Sequence, residues 1–190
     1  MNSEKTKELK LHAANVRKMA LEAVYSAGAG HPGGSMSIAD ILTYLYMEEM
    51  NVNPNNSKSP DRDRFVLSKG HCSPALYGVL AECGFIPKED IKTFRHIDSY
   101  LQGHPEMNKV SGVDMSTGSL GQGISAACGM AKAAKKITRA IVYMRHLAME
   151  RARKGKSGRQ RCLRHTMGLI TLQFFWILMD FKSTERLPRL

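Results

Sequence analysis

The chain lacks what a secreted, metal-clipped or membrane-spanning protein would need. Its four cysteines, Cys72, Cys83, Cys128 and Cys162, contain no CxxC pair, so free thiols in a reducing compartment are expected. The longest apolar run, GLITLQFFWILM, is well short of the roughly 20 residues that a spanning helix requires. The opening MNSEKTKELK is polar, which reads as neither a secretory core nor an anchor. Neither the dinucleotide fingerprint nor the Walker pattern occurs, and no Ser-His-Asp set or metal-spaced Cys/His set can be read from residue order. The expectation is a cytoplasmic protein with no membrane partner.

Acidic residues are scarce too, but only in one region. Residues 1–134 carry 14 Lys+Arg against 14 Asp+Glu, whereas from Lys135 onward 14 basic residues face 3 acidic ones. All of the net charge of +11 therefore lies in the last part of the chain. Its densest stretch, ERARKGKSGRQRCLRH from Glu150 to His165, has the look of a polyanion-binding arm. At 190 residues the chain can hold one domain with a true core.

Helical spacing of Leu11, Ala14, Met19, Leu21 and Val24 predicts a helix from about Ser3 to Ala27. Gly28 and Gly30 stop it, and GHPGGS reads as a loop. Ser37 can cap a second helix, IADILTYLYMEEM, which ends at the linker NVNPNNSKSPDRD. RFVLS suits a buried parallel strand, and Ser73-Pro74 opens a further helix. PKEDIKTF gives a short helix, and ISAACGMAKAAKK a helix of small residues. Helices around a buried strand, with glycine loops at the element ends, favour an α/β fold.

Three loops set a histidine beside glycine or proline: His31 in GHPGGS, His71 in SKGHCS and His104 in GHPE. Glycine lets backbone come close to a ligand, and imidazole offers a hydrogen bond or a proton near neutral pH. One such histidine is usually just surface; three in repeated contexts suggest a site. STGSLGQG leads into a helix, whose free N–H groups can meet an anion or a polar ring. By itself that loop also fits close helix packing at Gly121 and Gly123.

Taken together, SAGAGHPGGSMSIADILTYLY, DRDRFVLSKGHCSPALYGVL and LQGHPEMNKVSGVDMSTGSLGQGIS closely resemble transketolase. The spacing is similar to the amino-terminal subunit of the bacterial two-subunit form, and it covers about residues 5–136. The resemblance implies thiamine diphosphate and a divalent metal such as magnesium as cofactors, and transfer of a two-carbon ketol unit between sugar phosphates. It implies that His31 and His104 contact the donor sugar and that His71 lies at the cofactor near its diphosphate. Gly118, Ser119 and Leu120 would touch the cofactor largely through main chain. The cofactor supplies the electron sink, while neutral imidazoles can carry hydroxyl protons. A carboxy-terminal subunit and a second copy are the implied partners. A deoxyxylulose-phosphate synthase is the alternative within thiamine diphosphate enzymes; a basic-tailed nucleic-acid module is the alternative outside them.

In the family the small-residue helix is followed by a strand and a GDGE turn whose Asp holds the metal, a role for hard oxygen ligands. The chain has no GDGE and reads ITRAIVYMRHLAMERARKGKSGRQRC instead, so none of its residues is assigned to the metal. The visible residues allow the missing motif one base out of step. If each true codon takes the last base of one visible codon and the first two of the next, His146-Leu147 can encode Leu. The pairs Leu147-Ala148, Ala148-Met149, Met149-Glu150 and Glu150-Arg151 then encode Gly, Asp, Gly and Glu. RKGKSG conceals EEGQVW, RQRCLRHTMG conceals EAAMFAAHYG, and WILMDFKSTE allows LDFNGFQIDG.

A single-base deletion, or an equivalent shift, near the A-rich codons of AAKKI accounts for this. On that reading residues 1–136 are a partial amino-terminal domain and 137–190 an out-of-frame tail. The expected fold is an incomplete thiamine diphosphate-binding α/β fold, a parallel sheet flanked by helices, with a disordered or aberrant tail. The basic run then marks no nucleic-acid partner, and the chain as encoded is expected to be inactive. Removing the later strands leaves helices without a sheet to cover, and LITLQFFWIL is an apolar, charge-free window prone to aggregate.

Overall fold

The computed structural model describes residues 3–137 and 142–143. Four α-helices form its frame: α1, Ser3–Ala27; α2, Pro32–Tyr44; α3, Ser73–Glu82; and α4, Gly123–Ile137. Two strands, β1 at Arg64–Phe65 and β2 at Val142–Tyr143, run parallel, with Arg64 opposite Val142 and Phe65 opposite Tyr143. The expected parallel sheet is thus confined, among the described residues, to one two-residue pair. The tail assigned to 137–190, with its basic run, its apolar window and the concealed motif, lies almost wholly outside them. Among the described residues no helix is long and apolar enough to cross a membrane.

Helix α1 has the expected limits. Leu9, Ala13, Val16, Met19, Ala20 and Ala23 are buried, a repeat of three and four residues that keeps one stripe inward. Of the five residues whose spacing predicts the helix only Met19 is buried; Leu11 and Leu21 are 63% and 50% exposed. The reason is steric. Alanines at the contact let α2 and α3 pack closely, so the large leucines fall on the outer side.

Helix α2 starts earlier than Ser37. Pro32 sits in its first turn with His31 at the cap position, so only Gly30 and His31 of GHPGGS precede the helix. Proline fits there because the first-turn N–H groups have no intrahelical partner. Ser37 lies inside the helix and its hydroxyl donates to the Gly34 carbonyl at 2.9 Å. Helix α3 begins at Ser73 as expected and is buried from Ser73 to Ala81. It forms the centre of the main core with Val16, Ile38, Leu42 and Leu45. A smaller cluster of Val66, Ile124, Ala127 and Ala131 seats α4 against the segment after β1.

Polar bolts lock these layers. Glu82, at the end of α3, accepts from His12 Nδ1 at 2.8 Å, Asn15 Nδ2 at 2.9 Å and Lys88 Nζ at 2.7 Å. Burial opposes its ionisation, yet the Lys88, Asn15 and His12 donors hold the carboxyl down to about 2. Asp114 is buried and takes the Arg62 guanidinium, Arg64 Nη1 at 3.1 Å and the Phe65 N–H at 2.8 Å. It fastens the long segment between residues 95 and 122 to β1.

Candidate functional site

The chain that leaves β1 ends in Ser68-Lys69-Gly70-His71 and turns at once into α3. In α/β folds ligands gather at the carboxyl ends of strands, and here three separate loops meet at that end. The His31 and His71 rings approach edge to face, 5.0 Å between centroids. His104 comes from the third loop and lies against Gly118, where an added Cβ would be 3.4 Å from His104 Cδ2. Its pKa is lowered from the ordinary histidine value, first by burial and then by the nearby His31 and Arg95.

Each loop has its own fastening. The Tyr77 hydroxyl donates to the Gln102 carbonyl at 2.8 Å and the His104 carbonyl at 3.3 Å, while Ser73 Oγ donates to the Gly103 carbonyl at 2.8 Å. Helix α3 thereby fixes the main chain that bears His104. Thr117 Oγ donates to the Leu67 carbonyl at 2.7 Å, and Thr117 N–H to the Pro105 carbonyl at 3.3 Å. Gly118 therefore follows a residue tied both to the strand end and to the His104 loop. Ser119 and Leu120 continue towards α4, with the Ser119 carbonyl accepting from Gln122 N–H at 3.2 Å.

Two glycines make the approach possible. A Cβ at Gly34 would collide with Cys72 Sγ and lie 3.6 Å from His71 Nε2. One at Gly70 would come 2.6 Å from the Thr117 carbonyl oxygen. Lys69 is 6% exposed, and its ammonium donates to the Gly34 carbonyl at 2.7 Å and Ser37 Oγ at 3.2 Å. Burial lowers its pKa. Burial likewise pushes the neighbouring Cys72 thiol up to about 11 against the pull of Lys69, which keeps it a poor nucleophile.

The site also holds unspent polar capacity. Ser35 Oγ, on the first turn of α2, and Ser68 Oγ, at the strand end, are buried with no hydrogen-bond partner among the described residues. Buried hydroxyls are normally satisfied, so each of these two is an exception among the described residues. Ser68 lies directly beneath Gly123, the first residue of α4, whose free N–H groups favour an anion. Among the described residues no group of three His, Cys, Asp or Glu is placed to hold a metal. The helix N-terminus can meet an anion, and the neighbouring imidazoles can donate or accept hydrogen bonds.

The structure brings His31, His71, His104 and Gly118 together, with Ser119 and Leu120 in the same loop. Reading the sequence missed Lys69, Ser35, Ser68, Tyr77 and Asp114. Of these only Asp114 had a nearby signal, as the acid that precedes the STGSLGQG loop.

Residues 9–148 match the family model described as transketolase, thiamine diphosphate binding domain. A 6-deoxy-6-sulfo-D-fructose transketolase subunit from a Clostridium species is 50% identical over 123 residues, 64% of this chain and 45% of that protein. The transketolase of Mus musculus is 42% identical over 139 residues, 73% of this chain and 22% of its own length. The crystal structure of the transketolase of Campylobacter jejuni superposes with a TM-score of 0.82 at 32% identity, covering 93% of this chain and 28% of that one. The chain thus spans less than half the length of these curated relatives. The matches favour neither a deoxyxylulose-phosphate synthase nor a nucleic-acid module.

Proposed function

Because the chain belongs to the transketolase family through its thiamine diphosphate-binding domain, we propose that it is the cofactor-binding part of a transketolase whose reading frame is lost after about residue 136. The parent activity is transfer of a two-carbon ketol unit from a ketose phosphate to an aldose phosphate. The observation that carries the reading is the meeting of His31, His71 and His104, from three separate loops, at the end of β1.

Thiamine diphosphate, when bound with magnesium, supplies the electron sink for breaking the carbon–carbon bond. His71, Gly118, Ser119 and Leu120 hold it, the last three through main chain. His31 and His104 face the donor sugar and hold or pass its hydroxyl protons. The depressed pKa of His104 keeps that imidazole neutral near pH 7, so it can accept a proton. A carboxy-terminal subunit and a second copy complete the site, in the cytoplasm.

The polypeptide lacks the acidic metal turn. No GDGE occurs in the sequence, while the codons from His146 to Arg151 can spell LGDGE one base out of step. Without that carboxylate the diphosphate loses its main counter-charge, so the chain as encoded is inactive. Resequencing the codons for Ala134 to Thr138, with mass spectrometry of the cellular protein, tests this. A tryptic peptide HLAMER, residues 146–151, is expected if the shift is real. A peptide containing LGDGE instead means that the cell makes the in-frame subunit. Confirmed codons with a soluble, active HLAMER-containing protein overturn the reading.

A further inference from the structure

A recess of about 490 Å³ opens beside the start of β1, between residues 57–64 and 107–114. That volume is in the range of small-molecule pockets. Four cations, Lys58, Arg62, Arg64 and Lys109, share its wall with a single carboxylate, Asp114. Residues 1–134 balance 14 Lys+Arg against 14 Asp+Glu, so the excess is local and not a basic background. None of the three histidines lines the recess; they follow the other end of the strand.

The carboxylate in that wall is already spent. Asp114 Oδ1 takes both guanidinium groups and Oδ2 the Phe65 N–H, so two arginines face one acid. Main-chain carbonyls fix the arginines without cancelling their charge. Arg62 Nε donates to Ser57 at 2.7 Å and its Nη1 to Asp63 at 2.9 Å, while Arg64 Nη2 donates to Ser59 at 3.1 Å. Lys109 has Glu106 at 3.2 Å, but Lys58 takes part in no ion pair among the described residues. Cations held in a recess focus positive potential into it, and a guanidinium fixed in advance loses little freedom on meeting an anion. The geometry points to a second binding site, for a small phosphorylated metabolite held by Arg64, Lys58 and Lys109. An excess of several positive charges suits a phosphate dianion better than a single carboxylate. The site lies beyond the transketolase reading and needs neither the cofactor nor the missing metal turn.

Inorganic phosphate titrated into the full chain at constant ionic strength tests this, read on the backbone amides by NMR. Asn108, Ser111 and Gly112 line the recess, and their signals should shift together and saturate, with acetate at the same ionic strength binding more weakly. Lys58 and Lys109 are exposed, so the double variant Lys58→Ala, Lys109→Ala should keep the parent Tm. It should weaken the apparent phosphate affinity at those amides about tenfold or more, the worth of charge-assisted contacts. Any response to phosphate at His71 and Gly118 should be the same in parent and variant. Recess amides indifferent to phosphate, equal binding by parent and variant, or acetate binding as tightly as phosphate overturns the proposal. A sharp fall in Tm for the double variant assigns the lysines to the fold and overturns it as well.

Discussion

The helical layer of residues 3–82 and the loop segment of residues 95–122 are held by different forces. The first is an apolar assembly in which α3 is buried along most of its length and α1 and α2 close over it. The second has few buried apolar anchors, chiefly Leu101, Val110 and Val113. It is fixed by directed polar contacts: Asp114 to β1, Thr117 to Leu67, and Tyr77 and Ser73 to the His104 main chain. Apolar packing tolerates exchange of similar shapes, whereas a buried polar pin fails when one partner goes. The candidate site takes its rigidity from the helices and its geometry from the pins.

The sharpest way to break that contrast is Asp114→Ala. It strands two arginines and the Phe65 N–H, and should cost about 3–5 kcal/mol, read as a fall in the urea midpoint. The same variant should also part the His104 loop from His71 in NMR contacts. Leu42→Ala in the helical core should cost about 2–4 kcal/mol yet leave the histidine contacts of the folded fraction intact. If Leu42→Ala moves the histidines as much as Asp114→Ala does, the two regions are not separately held.

Acid probes the bolt between α1 and α3. The Glu82 carboxyl sits lower in the folded chain, at about 2, than its ordinary 4.5. Its contribution is therefore complete above pH 4.5 and is lost as pH falls from there towards 2. A urea midpoint measured across that window should drop less in Glu82→Gln than in the parent. The smallest effect is expected from Leu11→Ala. At 63% exposure the residue does not anchor α1, and the change should fall within about 0.5 kcal/mol.

That last prediction marks where the sequence misleads. The limits of α1 are legible because periodicity needs only the spacing of polar and apolar residues. Its inward face is not, because Ala13, Ala20 and Ala23 win the contact by being small, and Leu11 and Leu21 are left outside. The start of α2 was hidden by GHPGGS, whose glycines read as loop although Pro32 opens the helix. The three histidine loops were visible because glycine and proline mark them locally. Lys69 with Gly34 and Asp114 with Arg62 and Arg64 were not, since such partners lie 35 to 52 residues apart. No local pattern records a pairing of that reach.

The proposed function predicts a folded cofactor site without a metal carboxylate. Titration calorimetry with thiamine diphosphate and magnesium, on the encoded chain and on one whose frame is restored at the AAKKI codons, addresses that directly. Strong magnesium-dependent binding by the restored chain and none by the encoded chain is the predicted result. Equal binding by the two, or no gain on restoring the frame, would contradict it.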